Sequence, residues 1–315
     1  MIRQIIILLI LSSFIVYSQN KAVLDEDSLN SFEFKWSNDF EYATDYYYTN
    51  GFSFELVTPW IADNPVNSML LPHSTNSLVI YSLTLLQDIY TPKVKFYIPD
   101  QLNGDRPFAA YILLGAKKIS FLKKSKVKLY SEIQFGMLGP AALGEEVQNG
   151  IHSLLPTSSE VLGWENQISN SIMLNYSASI EKYFTLANWF EVSGIASAKL
   201  GLPFTTAGVG VKTRIGFFDI LPNEFEFLSS KKWNAFITLS TYGKIVGYNA
   251  TLQGGLFSES IYTLSEINRF VGLASIGITG VYKHFKIEYV QQFNTPEFPN
   301  AEYHSWGYLI IKFKF

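Results

Sequence analysis

The clearest strand in this chain reads Lys126-Val-Lys-Leu-Tyr-Ser-Glu-Ile-Gln-Phe-Gly136. Its odd-numbered positions from 127 to 135 are mostly apolar, whereas its even-numbered positions carry Lys, Tyr, Glu and Gln. Because successive side chains of a strand point to opposite faces, one face of this strand is oily and the other is polar. A soluble sandwich would turn the oily face inward and a membrane barrel would turn it towards lipid, and this strand alone does not separate the two.

The same alternation recurs in residues 172–181 and 285–293. The chain ends with Trp306-Gly-Tyr-Leu-Ile-Ile-Lys-Phe-Lys-Phe315, an alternating strand with a C-terminal aromatic residue, which resembles the last strand of outer-membrane barrels. In a soluble sheet, another layer would have to cover the apolar side chains of this strand. We therefore predict an all-β fold, a transmembrane antiparallel up-and-down β-barrel.

Twelve strands can be counted, an even number, as single-chain bacterial barrels have. They are predicted at residues 32–38, 50–58, 78–87, 107–119, 126–137, 167–181, 188–199, 205–217, 233–248, 270–282, 285–294 and 304–315. One segment is ambiguous, because Gly243 to Gly247 could form a turn and create a thirteenth strand. Parity favours one long strand there.

The N-terminus is typical of a secretory signal peptide. One cation, Arg3, precedes the apolar run Ile5 to Leu11, and the segment ends at Val16-Tyr-Ser18. The apolar run is shorter than the roughly 20 residues of a spanning helix, although an uncleaved anchor helix is the alternative. We predict a signal peptide at 1–18 and a single outer-membrane β-barrel enzyme domain at 19–315, integral to the outer membrane of a Gram-negative bacterium.

Composition narrows the possible functions. The absence of cysteine excludes a disulfide framework, a thiol nucleophile and a thiolate metal site. With a formal net charge of -3, the chain has no excess of positive charge to attract nucleic acid. Lipid or small molecules are therefore the expected partners. The 19 Tyr and 25 Phe residues suit the aromatic girdles of a barrel, and no strand suggests a subunit interface, so we expect a monomer.

Strand parity predicts that three polar loops, residues 38–49, 88–106 and 138–166, share one rim. The first loop is rich in Asn, Asp and Gly, which is also what an ordinary turn that caps its own backbone would contain. The third loop predicts a short amphipathic helix between Pro140 and Pro156. Gln148 and His152 are spaced i and i+4 and so project from the same side of that helix, although a lone helical histidine is more often a surface or packing residue.

With these motifs placed on one rim, the sequence resembles the lipid A 3'-O-deacylase family of outer-membrane β-barrel enzymes. The resemblance runs in order along nearly the whole mature chain. It rests on Asn38-Asp39, Thr44-Asp45, Tyr48-Thr49-Asn50-Gly51, Gln87, Tyr90-Thr91-Pro92, Asp105-Arg106-Pro107-Phe108-Ala109, Gly139-Pro140 through Gln148 and His152 to Gly163-Trp164-Glu165-Asn166-Gln167 and, more weakly, Thr295-Pro296-Glu297-Phe298.

The resemblance implies a twelve-stranded barrel that depends on Ca²⁺ and hydrolyses the acyl or acyloxyacyl ester at the 3' position of lipid A in lipopolysaccharide. It implies His152 as the general base, with Gln148 beside it, and Asn38 and Asp39 in the metal and active-site cluster. Thr49 is the best match to the family's active-site threonine, with Thr44 as the alternative. Glu160 best matches the acidic residue after the histidine, and neither Lys93 nor Lys95 lies in a motif that matches the family's active-site lysine.

The sequence has no Gly-x-Ser-x-Gly elbow, so a covalent serine mechanism has no support. Our hypothesis is that His152 deprotonates a water that attacks the ester, and that the ester carbonyl is polarised by Ca²⁺ held by Asp39 and nearby oxygens. Two alternatives stay open: a passive structural or transport barrel, and an outer-membrane phospholipase with related chemistry.

Overall fold

A computed structural model of the chain describes residues 30–39, 46–93, 104–154, 160–229, 231–256 and 258–315. The predicted signal peptide, residues 1–18, lies outside the described residues, and so do Thr44 and Lys95.

The described part of the chain forms a closed barrel of twelve antiparallel strands, in which each strand pairs with its sequence neighbours and the first pairs with the last. The strands are β1 (Ser31–Asn38), β2 (Tyr47–Val57), β3 (Ser77–Thr91), β4 (Ala109–Leu122), β5 (Val127–Leu138), β6 (Ser171–Ala187), β7 (Phe190–Gly201), β8 (Phe204–Phe217), β9 (Trp233–Asn249), β10 (Phe270–Tyr282), β11 (Phe285–Asn294) and β12 (His304–Lys314). The predicted fold class and strand number are confirmed.

The ambiguous glycine segment lies inside β9. Gly243 is paired with Val209 of β8 on one side and with Gly272 of β10 on the other, so the hydrogen-bonded ladder continues through it. One long strand, as parity predicted, is therefore correct.

The oily faces of the strands point away from the barrel axis. On β5 and β6, Phe135, Ile172 and Leu174 are 59%, 61% and 59% exposed, although they are large and apolar. A soluble sandwich would bury such side chains, whereas a membrane barrel presents them to lipid. The outward faces therefore identify the wall as a surface made for a bilayer.

Charged side chains face the lumen and are paired there. Lys128 Nζ lies 2.8 Å from a carboxylate oxygen of Glu181, and Arg214 Nη2 lies 2.6 Å from one of Glu191. All four side chains are buried, and a buried charge is tolerated when an opposite charge and hydrogen bonds satisfy it. These pairs fill the lumen with side chains.

A segment of the β8–β9 connection closes the lower end of the barrel, opposite the end that carries the first three predicted loops. It contains a 3-10 helix, Asn223–Leu228, whose Phe225 is fully buried. Its Glu226 carboxylate lies 3.4 Å from Lys312 Nζ and 3.8 Å from Lys286 Nζ on the barrel wall. The lower end is thus held shut by apolar packing and by ion pairs.

Loops also cover the upper end. Arg106, in the β3–β4 connection, is fully buried, with its guanidinium 4.2 Å from the centroid of the Tyr90 ring. Its Nη2 donates to Thr251 Oγ1 at 3.0 Å in the β9–β10 connection. Below this cover lies a cavity of about 420 Å³, lined among others by Lys35, Asp88 and Lys199.

The third loop at the upper end contains the predicted short helix. A 3-10 turn, Pro140–Ala142, leads into helix α1 (Gly144–Ser153). A second short helix, α2 (Ala250–Gln253), carries Thr251. Within the described ranges, no helix is long and apolar enough to cross a bilayer.

A lysine on the outward face of β4 is unusual. Lys117 points into the lumen and pairs with Glu55, so the next residue, Lys118, points outward, where it is only 2% exposed. Its Nζ has no hydrogen-bond partner among the described residues and lies 5.3 Å from the centroid of the Tyr81 ring. Burial, and after it the charge of Lys118, lower the pKa of His73 in the β2–β3 connection, which places this connection next to the lysine.

Replacing Lys118 with Met is therefore expected to raise the free energy of unfolding by about 1–3 kcal/mol, because a buried cation without a hydrogen-bond partner is exchanged for an apolar side chain of similar length. Urea unfolding of the protein in lipid vesicles would measure the change. Lys123→Met, at an exposed position in the β4–β5 turn, is the matched control and should change little. A less stable Lys118→Met variant would contradict the expectation.

Candidate functional site

The upper ends of β1 and β2 carry amide side chains on the outward face of the wall. Lys35 lines the internal cavity, so its neighbour Trp36 and, two residues further, Asn38 point outward. Asn50 Oδ1 accepts hydrogen bonds from Asn38 Nδ2 at 2.9 Å and from Trp36 Nε1 at 3.3 Å. The predicted site residue Asn38 is therefore part of a group on the outside of the barrel.

A β-bulge places Thr49 next to this group. The pairing of β2 with β3 joins Tyr48 to Tyr90 and Asn50 to Ile89, so Thr49 is the extra residue. Its hydroxyl donates to the carbonyl of Ile89 at 3.2 Å, and its own carbonyl accepts from Asn38 Nδ2 at 3.0 Å. Bulges redirect side chains locally, and this one brings two predicted site residues, Asn38 and Thr49, into contact.

Asp39 directly follows β1 and is 3% exposed. Its Oδ2 accepts a hydrogen bond from the backbone N–H of Tyr46 at 3.3 Å. In the part of the chain that the structure describes, no three His, Asp or Glu side chains converge as a metal-binding group. The residue before Asp39, Asn38, contacts the Thr49 carbonyl and the Asn50 side-chain oxygen, and neutral oxygens of this kind together with one carboxylate suit a hard cation such as Ca²⁺.

Helix α1 lies against the outer wall. Gly144 sits so close to β4 that an added Cβ would come within 2.4 Å of Ala110 Cβ. Val147 packs against a buried cluster that includes Ile89 and Trp164, and Gln87 Nε2 donates to the carbonyl of Ala142 at 2.6 Å just before the helix. The sequence predicted a helix on the rim; the structure shows it docked on the outward face of β3 and β4.

Gln148 is fully buried beneath α1, and its Oε1 accepts a hydrogen bond from Trp164 Nε1 at 3.0 Å. His152 follows one turn later, in the last turn of the helix, and is half-buried. Gln148 therefore anchors the helix that carries the predicted base, and this contact gives Trp164 a role that its place in the sequence motif did not reveal.

Glu160 is exposed at the start of the segment that returns from α1 to the wall. Its neighbour Val161 donates its backbone N–H to Asn149 Oδ1 at 2.9 Å. Burial raises the pKa of Glu145, and the charges of Glu146, Glu165 and Glu160 raise it further. Glu160 thus lies along the flank of α1 that carries Glu145 and Asn149.

Lys93, one of the two lysines considered from sequence, pairs with Glu302 at the upper rim. The hydrogen bond from Lys93 lowers the pKa of Glu302. Both side chains are about half exposed, at 47% and 53%. The structure therefore assigns Lys93 to a rim ion pair between the β3–β4 and β11–β12 connections.

The Trp164–Gln148 contact leads to a stability prediction. Trp164→Phe keeps an aromatic ring but removes the N–H donor, and the loss of one buried hydrogen bond should loosen the docking of α1 by about 1–3 kcal/mol. Limited proteolysis should cleave residues 140–166 faster in this variant than in the parent. Trp189→Phe, at an exposed position between β6 and β7, is the control, and equal cleavage rates in all three proteins would argue against the anchor.

The chain is similar to outer membrane proteins in its sequence and in its fold. A family model described as outer membrane protein LpxR matches residues 5–315. Among solved structures, LpxR from Salmonella typhimurium is similar to this chain with a TM-score of 0.72 and 22% identity, over 90% of this chain and 100% of that chain. The beta domain of the Bordetella autotransporter BrkA has a TM-score of 0.46 and 8% identity, over 91% of this chain and 99% of that chain. A comparison with curated proteins gives no match.

Proposed function

Because the chain belongs to the LpxR family of outer membrane proteins, we propose that it is a lipid A 3'-O-deacylase, which hydrolyses the acyl or acyloxyacyl ester at the 3' position of lipid A. The family is the one that the motifs indicated, and family and closed barrel together make the chain an integral outer-membrane protein. The observation that carries the proposal is the position of Asn38, Thr49 and α1 on the outward face of the wall at its upper end.

This position suits a lipid substrate. An ester in the outer leaflet can reach residues on the outside of the wall without leaving the membrane, whereas it could not reach the lumen between closed strands. The upper ends of β1 to β4 lie near the level of the outer-leaflet head groups if the N-terminus is periplasmic. Lipid A, which resides in that leaflet, is therefore the substrate that the site's location favours.

In the proposed reaction, His152 accepts a proton from a water that attacks the ester carbonyl. It then returns the proton to the 3' oxygen of the sugar as the ester C–O bond breaks and the fatty acid leaves. A histidine is suited to this role near neutral pH, and a positioned general base contributes about 10²- to 10⁴-fold to a rate. Asn38, Asp39 and neighbouring oxygens would hold Ca²⁺, which when bound would stabilise negative charge on the ester oxygen. Gln148 holds the helix and thus the imidazole in place, and Glu160 is the acidic residue proposed to orient it.

The Asn38–Thr49–Asn50 group has a second role in this proposal. Its hydrogen bonds fix Asn38 Nδ2 on the Thr49 carbonyl and on Asn50 Oδ1, so the Asn38 side chain has one defined orientation. An active site gains rate when its polar groups are oriented before the substrate arrives, because no reorganisation is then needed during the reaction.

A passive transport barrel is less well supported. The lumen is narrowed by inward-facing ion pairs between adjacent strands, such as Lys128–Glu181, and is closed below by residues 223–228. A phospholipase would use the same outward site, so the two lipid hydrolases must be separated by their products.

The deciding experiment is mass spectrometry of lipid A and of phospholipids from cells that express the chain, with and without Ca²⁺. Loss of the 3'-linked acyl group from lipid A supports the proposal. Intact lipid A with hydrolysed phospholipids would identify a phospholipase, and no change in either lipid would favour a passive barrel.

A further inference from the structure

A buried carboxylate lies on the lumen side of the wall, directly behind the bulge. Tyr48 Oη donates to Asp88 Oδ1 at 2.8 Å, and Tyr111 Oη donates to Asp88 Oδ2. Other lumen carboxylates, such as Glu181 and Glu191, pair with lysine or arginine. Among the described residues Asp88 has no such ion pair, and two tyrosine hydroxyls bind its two carboxylate oxygens.

One side of this contact is tightly packed, where Gly51 of β2 lies opposite Asp88. An added Cβ at Gly51 would lie 2.1 Å from Tyr48 Oη and 2.4 Å from Asp88 Oδ1, so a larger residue there would displace one of the two hydrogen-bonded groups. The backbone of Tyr48 is also held, because its carbonyl lies 3.1 Å from His304 Nε2 on β12. Tyr48 therefore has little freedom to move as a side chain or as a backbone unit.

Two consecutive residues of β3, Asp88 and Ile89, bind β2 from opposite faces of the wall. Asp88 binds the Tyr48 side chain from the lumen, and the carbonyl of the next residue, Ile89, accepts the hydroxyl of Thr49. Thr49 in turn binds Asn38 through its own carbonyl. A chain of four contacts thus runs from Tyr111 through Asp88, Tyr48 and the bulge to the outward amide group.

We propose that Asp88, with Tyr48 and Tyr111, is a positioning group that acts through the barrel wall. It holds the bulge so that the Thr49 carbonyl and the Asn38 side chain keep their orientation on the outward face, while never touching the substrate itself. The expected effect on the deacylation rate rests on the proposed deacylase function. The contacts by which Asp88, Tyr48 and Tyr111 hold the bulge are a property of the fold.

The test compares Tyr48→Phe with the parent in purified, refolded protein. Because a small misplacement of reacting groups can cost about 10²-fold in rate, kcat for lipid A deacylation should fall 10- to 100-fold while KM changes little. Asp88→Asn, which retains one oxygen acceptor, should show a smaller loss. Tyr130→Phe is the matched control, since its hydroxyl donates to Glu132 in the same lumen on β5, away from the bulge.

A second readout separates positioning from general stability and from the function itself. Hydrogen exchange of the backbone at residues 47–52 should be faster in Tyr48→Phe than in Tyr130→Phe, with equal urea midpoints for the two variants. Unchanged exchange in this segment, or a kcat equal to that of Tyr130→Phe, would overturn the proposal. If the parent itself does not deacylate lipid A, the proposed function fails. The exchange rates alone then decide whether Asp88 and Tyr48 hold the bulge in place.

Discussion

Replacing His152 with Ala is expected to reduce kcat/KM for lipid A deacylation by about 10²- to 10⁴-fold, which is the contribution of a positioned general base. The side chain is half-buried in the last turn of α1, a helix that Gln148 and Trp164 tie to the outer wall. Removing the imidazole should therefore remove the base without undocking the helix. Release of the 3'-linked fatty acid from purified lipopolysaccharide measures the rate.

His284→Ala is the control for this experiment. His284 is exposed in the β10–β11 turn at the lower end of the barrel, so its loss should leave the rate unchanged. Cleavage of residues 140–166 by protease should be equal in His152→Ala and the parent, which would show that α1 remains docked. Deacylation by His152→Ala at the parent's rate would refute the assignment of the base.

The alternation of side chains predicted nearly all of the barrel, because in a transmembrane strand each residue faces either lipid or lumen. The prediction was least accurate where other contacts extend a strand. β6 runs to Ala187, beyond the predicted end at 181, because Lys182 to Thr185 pair with β7. The alternation of a single strand does not report the length of its neighbour, and therefore such ends are set by tertiary pairing.

The 3-10 helix that closes the lower end of the barrel could not be predicted from periodicity. Residues 223–228 read Asn-Glu-Phe-Glu-Phe-Leu, an alternation typical of a strand, but they form a 3-10 helix. Glu226 gains its partners Lys286 and Lys312 only when β11 and β12 close the barrel. The sequence separation of these residues leaves no local signal. The same holds for Arg106, which lies in the Asp105–Ala109 motif but whose contact with Thr251 joins residues far apart in the sequence.

For the candidate site, the sequence predicted the types of residue and the end of the barrel at which they lie. It did not predict that they lie on the outward face of the wall. Strict alternation through β2 would place Thr49 and Asn50 on opposite faces, and the extra residue at the bulge changes that relation. A bulge is set by both paired strands, so β2 alone does not reveal it. Asn50, which the sequence placed in a motif without assigning it a role, and Trp36, which no motif contained, complete the amide group.

The second large effect is expected at Asp39. Asp39→Asn keeps the shape of the side chain and an oxygen that can accept from the Tyr46 N–H, but it removes the only negative charge at Asn38–Asp39. Because Ca²⁺ affinity depends on the number of charged ligands, the Ca²⁺ concentration for half-maximal deacylation should rise on the order of 100-fold. Titration of the activity with Ca²⁺ in chelator-buffered solutions measures this shift.

Three features of that titration make the result specific to a metal ligand. Saturating Ca²⁺ should restore much of the activity of Asp39→Asn, since a weakened site can still be filled, whereas it should not restore that of His152→Ala. Chelation of Ca²⁺ should abolish the activity of the parent. Asp63→Asn, at an exposed position in the lower β2–β3 connection, should titrate like the parent. An Asp39→Asn curve that overlays the parent's would show that Asp39 is not a metal ligand. Activity that survives chelation would remove Ca²⁺ from the mechanism, and the role of His152 would then be judged from His152→Ala alone.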